Sequence, residues 1–263
     1  MNTLTIVKIG GNVIDRPAAL QTFLQDFAAL ESPKILVHGG GILATELLEK
    51  TGVPVRLHEG RRITDAGTLK ICTMVYAGWI NKTIVAQLQQ AGCNAVGLSG
   101  ADANTVSATK RPPVPVDFGF VGDVVAGCIN VPVLSLLLDN GLCPVFCAIT
   151  HDMQGGLLNT NADTMASVIA AALAKTYRTK LLFCFEKGGV LANPDDDHSV
   201  IPAIDTAYFQ QLKEQKIISK GMLPKLDNAF AALHAGVAEV YIKHAARLLS
   251  AKEGTALVAG VKS

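Results

Sequence analysis

The chain has 263 residues, a formal net charge of +1 at pH 7, and 49% apolar against 5% aromatic residues. That length buries one large α/β core or two fused lobes, and the absence of a Lys/Arg run or an acidic tail excludes a nucleic-acid stripe and a charged partner segment. No stretch offers the about 18 unbroken apolar residues that span a bilayer, and no basic leader precedes a cleavable apolar run, so a cytoplasmic enzyme is expected.

Short apolar runs alternate with longer Ala/Leu-rich segments, which predicts βαβ units around a mainly parallel sheet. Residues 4–9 read as the first buried strand, ending in Gly10 and Gly11. A helix over 17–30, a strand over 34–37 ending in His38 and three glycines, and a helix over 42–50 closed by Gly52 follow. Residues 68–91 are helical with Gly92 as the C-cap, and 95–98 is a strand. The stretch 105–123 is rich in Pro and Val and predicts hairpin strands over the end of the sheet. Beyond it come a helix at 134–138, a strand at 145–149 and a strongly apolar helix at 163–175. A strand at 180–185, helices at 206–213 and 223–235, and strands at 240–242 and 256–258 complete the chain. A lobe boundary near 170–180 has no flexible linker, so one sheet is expected to run through both halves. The six cysteines form no CxxC pair and sit mostly in apolar runs, which reads as free buried thiols of a reduced compartment.

Two glycine clusters stand directly after predicted strands: Lys8-Ile9-Gly10-Gly11 and His38-Gly39-Gly40-Gly41. Without a Cβ, backbone N–H groups approach an anion closely, and a helix start behind them adds its positive dipole end. Each cluster alone is equally a tight strand–helix turn. Two facing one crevice, with Lys8 beside them, favour polyanionic phosphate at the carboxyl ends of parallel strands. No G-x-x-x-x-G-K-[ST] loop occurs, and Gly39 to Ala44 also fits the loose dinucleotide pattern G-x-G-x-x-A, with Glu59 where a ribose acceptor belongs. Arg61 and Arg62 are either a solvated face or a bidentate clamp on a carboxylate. Asn159, Asn161 and Asp163 open a long apolar helix; one of them serves as N-cap, and three exceed what a cap needs. Lys225, alone, reads as a surface lysine.

Taken in order, these blocks, with Gly60-Arg61-Arg62-Ile63-Thr64, Gly119-Phe120-Val121-Gly122, Asn159-Thr160-Asn161-Ala162-Asp163 and Gly221-Met222-Leu223-Pro224-Lys225, resemble the motifs of the N-acetylglutamate kinases in the amino-acid kinase superfamily. The resemblance covers essentially the whole chain. It implies an α/β fold: an open three-layer αβα sandwich on a mainly parallel central sheet shared by two lobes, with a β-hairpin excursion in the first. Residues 1–172 would bind the acylglutamate and dimerise, and 173–263 would bind ATP. The reaction implied is phosphorylation of the γ-carboxylate of N-acetylglutamate, as in arginine biosynthesis, with Mg2+ arriving on the nucleotide.

Carried over by position, Lys8 and Lys225 would stabilise the transferring phosphoryl group and Asp163 would hold both lysines. Gly10, Gly11 and Gly40 would line the phosphates. Arg62 and Asn159 would take the α-carboxylate, with the backbone of Gly40 and Gly41 near the reacting carboxylate and Ile218 and Ser219 near the nucleotide. These roles suit phosphoryl transfer, which needs positioning and charge neutralisation more than covalent chemistry. A carboxylate is already an ionised nucleophile at pH 7, so no general base is required.

One departure stands out. Where the family carries a TDVDGV turn, this chain has Glu186-Lys187-Gly188-Gly189-Val190. It is expected to alter ribose or base contacts and to leave the phosphate-handling positions alone. Only Met1 to Thr3 precede the first strand, so the expectation is a homodimer without the N-terminal helix of arginine-inhibited hexamers. The alternatives are another kinase of the superfamily, a nicotinamide-dependent dehydrogenase, and a catalytically silent amino-acid sensor.

Overall fold

Thr3–Ile9 and Lys34–His38 are buried along almost their entire lengths, as strands are when helices cover both faces of a sheet. The computed structural model describes residues 1–31, 33–215, 217–218, 221–251 and 253–259. These two strands lie in the middle of an eight-stranded sheet. From edge to edge the order is Ala203–Asp205, Thr255–Val258, Glu239–His244, Arg178–Phe185, Thr3–Ile9, Lys34–His38, Cys143–Cys147 and Ala95–Leu98. The last six run parallel. Thr255–Val258 pairs antiparallel with Glu239–His244 and parallel with Ala203–Asp205, so that edge is reversed. Thr3–Ile9 pairs with Arg178–Phe185 over its whole length. The sheet therefore crosses from one half of the chain to the other without a break.

Side-chain alternation along the strands divides the core in two. Leu4, Ile6, Ile35, Phe183 and Ile242 pack with Met165, Ile169, Leu226 and Phe230, on the face covered by helices Ala162–Leu173 and Leu223–His234. Val7, Ile9, Leu36, Leu182 and Cys184 pack with Phe23, Phe27, Ile71 and Ile84, under Pro17–Ala29 and the helices beyond residue 65. Lys8 shares the face of Leu4 and Ile6, which aims it at the first helix set.

Three predicted elements take a different form. The helix expected at 68–91 is built as Ala66–Thr73, a π-helical stretch Met74–Ile80, and Asn81–Gln90. The strand expected at 145–149 ends at Cys147, and Ile149–His151 instead pairs antiparallel with Leu157–Asn159. The 105–123 excursion contains one short ribbon, Thr109–Lys110 against Gly122–Asp123. The helix Gly11–Ile14, the ribbon Leu57–His58 with Arg61–Arg62, and the edge strand Ala203–Asp205 are too short to show a hydrophobic period. Among the described residues no helix is long and apolar enough to cross a membrane.

Candidate active site

The carboxyl ends of the central strands hold the two glycine loops. An ideal Cβ on Gly11 would lie 3.7 Å from the Gly41 nitrogen, so the loops face each other. Gly11 begins the helix Gly11–Ile14 and Gly41 the helix Gly41–Lys50, and first-turn N–H groups have no intrahelical partner. The Gly10 N–H already donates to the Cys184 carbonyl at 3.0 Å. Gly10 contributes close approach instead, since a Cβ there would meet the Phe185 ring at 3.0 Å. At Gly40, φ is +154° and a Cβ would lie 2.2 Å from Ile80 Cδ1, so only glycine fits.

Beneath the second loop, His38 is fully buried. Its Nδ1 contacts the Gly39 carbonyl at 2.8 Å, and its Nε2 lies 3.0 Å from Asn81 Nδ2. A carbonyl only accepts, so Nδ1 carries the proton and Nε2 accepts from the Asn81 amide. That amide also donates to the Val145 carbonyl at 2.9 Å. Burial lowers the imidazole pKa to about 4, so it is neutral at pH 7. Asn81, a polar residue inside a helical run, carries no signal of this role in the sequence.

Lys8, Asp163 and Lys225 converge. Lys8 Nζ is 2.7 Å from Asp163 Oδ1, and both side chains are buried. Asp163 stands in the first turn of Ala162–Leu173, where the helix dipole favours a carboxylate, while Asn161 accepts from the Thr164 N–H as the N-cap. Lys8 Nζ and Lys225 Nζ lie 4.8 Å and 4.0 Å from the centre of the same Phe185 ring. Burial lowers the Lys225 pKa and the Lys8 charge lowers it further, against the opposing pull of Asp163 and Glu186.

Glu186 therefore reaches further than its position in the sequence suggests. Its Oε1 accepts from Asn12 Nδ2 at 2.9 Å, beside Gly11, and its charge acts on Lys225. The departure expected to spare the phosphate-handling positions thus bonds to Asn12, next to Gly11, and acts on Lys225, one of those positions.

A cleft of about 270 Å³ brings together Gly11, Gly40, Gly41, Arg62, Asn159 and Arg111. Arg62 Nη2 donates to the Gly41 carbonyl at 3.1 Å and to Thr45 Oγ1 at 2.7 Å. Its Nη1 is buried with no hydrogen-bond partner among the described residues, and an unpaired buried guanidinium nitrogen calls for an anion. Asn159 Nδ2 donates to Thr64 Oγ1 at 3.0 Å, and Thr64 Oγ1 donates to the Arg62 carbonyl at 3.2 Å. The 119–122 block threads between them through bridges Thr64 to Gly119 and Val121 to Asn159. Three blocks far apart in sequence thus form one wall. Arg61, its neighbour in the ribbon, is exposed.

Ile218 lines an apolar slot of about 100 Å³ with Val190, Leu191, Pro194 and Met222, in the C-terminal half. Lys187 also lines that slot and pairs with Asp197 at 2.6 Å. Ser219 lies outside the described residues. Glu59 sits in the tight turn of the Leu57–His58 ribbon with φ +49°, away from the sheet, so the dinucleotide pattern has no ribose acceptor at a strand end.

Two facing glycine loops, a lysine–aspartate–lysine cluster and an arginine-lined cleft on this sheet define a class. The amino acid kinase family model matches residues 3–244, and the chain belongs to that family. Acetylglutamate kinase of Parabacteroides distasonis is 50% identical over 252 residues, 96% of this chain and 98% of the relative. At that identity the chain stands in the acetylglutamate kinase branch of the family. The solved structure of smu.665 from Streptococcus mutans UA159 superposes with a TM-score of 0.81 at 27% identity, covering 97% of this chain and 98% of the other. Giardia carbamate kinase has the same fold, with a TM-score of 0.69 at 13% identity over 98% of this chain and 99% of its own.

Proposed function

We propose that this chain transfers the γ-phosphoryl group of ATP to the γ-carboxylate of N-acetyl-L-glutamate, forming ADP and the acyl phosphate. The observation that carries the reading is the convergence of Lys8, Asp163 and Lys225 next to a cleft whose Arg62 Nη1 has no partner among the described residues.

In this reading a γ-carboxylate oxygen bonds to the γ-phosphorus as the bond to the β–γ bridging oxygen breaks, and ADP leaves with that electron pair. Lys8 and Lys225 face the charge that spreads over the transferring oxygens. Asp163 keeps the two ammonium groups from repelling one another. Free N–H groups of Gly11 and Gly41 orient phosphate oxygens, and Arg62 with Asn159 fixes the α-carboxylate. Residues 1–172 take the acyl amino acid, and 173–263 take the nucleotide, with the base in the Ile218 slot.

Mg2+ neutralises phosphate charge when bound. Among the described residues no group of three metal-ligating side chains occurs, while Asp163 and Glu186 already engage Lys8 and Asn12. That set fits an ion held chiefly by nucleotide phosphates. The exposed Trp79 and Met74, on the helical stretch Met74–Ile80, support a homodimer through that face; a monomer on size-exclusion chromatography would rule it out. The six free thiols suit a reducing cytoplasm, and the product suits a reductive or transfer step toward arginine.

Trapping with hydroxylamine tests the reaction. Hydroxamate should accumulate with ADP only when MgATP and N-acetylglutamate are both present. Its absence from a folded sample that MgATP stabilises against heat would reject the acceptor.

A further inference from the structure

At the end of the sheet away from the cleft, Cys93 precedes the strand Ala95–Leu98, and Ala95 is the register partner of Cys143. The Ala95 N–H turns back to the Cys93 carbonyl at 2.8 Å, and the Cys143 N–H donates to the Asn94 carbonyl at 2.9 Å. This turn sets Cys93 beside the start of the neighbouring strand, next to Cys143. Both cysteines line one cavity of about 250 Å³, together with Lys34. The Lys34 ammonium is tethered by the Ala28 and Leu30 carbonyls, each at 2.6 Å, so a fixed positive charge faces the pair.

The neighbouring Cys143 thiol holds the Cys93 thiol below its ordinary value, with the Lys34 charge acting the same way. The same neighbour, with burial, pushes Cys143 up. Cys72, Cys147 and Cys184 are all pushed up by burial. Two buried thiols that open on one cavity beside a fixed cation, one of them with a lowered pKa, are within reach of a small oxidant that enters that cavity. The kinase chemistry uses neither residue.

We propose that Cys93 and Cys143 form a redox-active dithiol that hydrogen peroxide oxidises to an internal disulfide. The Cys93 thiolate attacks one peroxide oxygen, the O–O bond breaks, and hydroxide leaves with the electron pair and takes up a proton as water. The resulting sulfenic acid is attacked by the Cys143 sulfur. The S–O bond breaks, a second water leaves with the Cys143 proton, and the S–S bond forms. Two thiols are oxidised for each peroxide reduced to two waters.

The test uses the full chain, reduced, freed of reductant and treated with hydrogen peroxide at pH 7. After quenching with catalase, thiols are alkylated under denaturing conditions and mapped by mass spectrometry. Two of the six thiols should disappear together in one peptide linking Cys93 to Cys143. In Cys143→Ser, one thiol should be lost, and dimedone should label Cys93. Cys93→Ser should lose none at the same dose. Consumption of Cys128 or Cys72 ahead of Cys93, a link between any other pair, or equal loss in Cys93→Ser overturns the proposal. If either variant misfolds by circular dichroism, the wild-type peptide map decides alone.

Discussion

Lys8 and Lys225 both press on Phe185, and Asp163 is the buried carboxylate paired with Lys8. In the proposed reaction, removing either ammonium would leave the transferring oxygens with one cation, and loss of one electrostatic element of this kind costs roughly 10²–10³ in kcat. Lys8→Ala and Lys225→Ala should each show that loss in the hydroxamate assay with modest change in KM; near-normal turnover would remove the lysine from the mechanism. Because Lys225 sits below its ordinary pKa, it loses its proton earlier than a free lysine as pH rises. The alkaline limb of kcat/KM should therefore fall early, and Lys225→Arg, which keeps its charge, should move that limb to higher pH. An unmoved limb would assign it to another group. Lys8, Lys225, Arg62 and Asn159 are visible as candidates in the sequence because they stand in ordered blocks that resemble a family's motifs. Phe185 is not, since an aromatic ending an apolar strand reads as core, and only its ring lying under both ammonium groups reveals its second use.

The π-helical stretch Met74–Ile80 explains how one helix serves the 39–41 loop twice. Tyr76 and Ile80 pack on Gly40, while Asn81 holds His38. On an α-helix, position 81 would lie roughly 140° from position 76. The wider i→i+5 winding brings 76, 80 and 81 onto one face. Single-sequence periodicity reports a helix here and cannot report its pitch, so the element was visible and its use was not. Asn81→Ala strips a donor from His38 Nε2 and from the Val145 carbonyl, both buried. Leaving such acceptors unpaired costs about 1–3 kcal/mol each. Urea unfolding should show a stability loss of about 2 kcal/mol, and KM for the acyl amino acid should rise more than KM for ATP. Unchanged stability, or a KM effect confined to ATP, would detach Asn81 from the loop.

At the scale of the molecule, the sheet ties the site to global stability. The alternation of apolar runs and helices made its parallel core legible. Strand order, the reversed edge and the short ribbons were not, because long-range pairing leaves no local period. His38 sits on a central strand, neutral and enclosed, so protonating it sets the site against the fold. An unfolded chain binds that proton near the ordinary 6.5, whereas the folded protein refuses it until about 4. A depressed native pKa means stability is fully present above 6.5 and is lost as pH falls through this window. At 1.36 kcal/mol per unit the loss approaches about 3 kcal/mol, a large part of the 5–15 kcal/mol that holds a domain together. Asp15, raised by burial and by Glu46, works in the opposite sense and offsets part of it. His38→Gln removes the titration while keeping a neutral polar side chain. Urea midpoints at successive pH values from neutral down to 4.5 should therefore fall steeply for the wild type and shallowly for His38→Gln. Parallel slopes for the two proteins would show that another group drives the acid sensitivity.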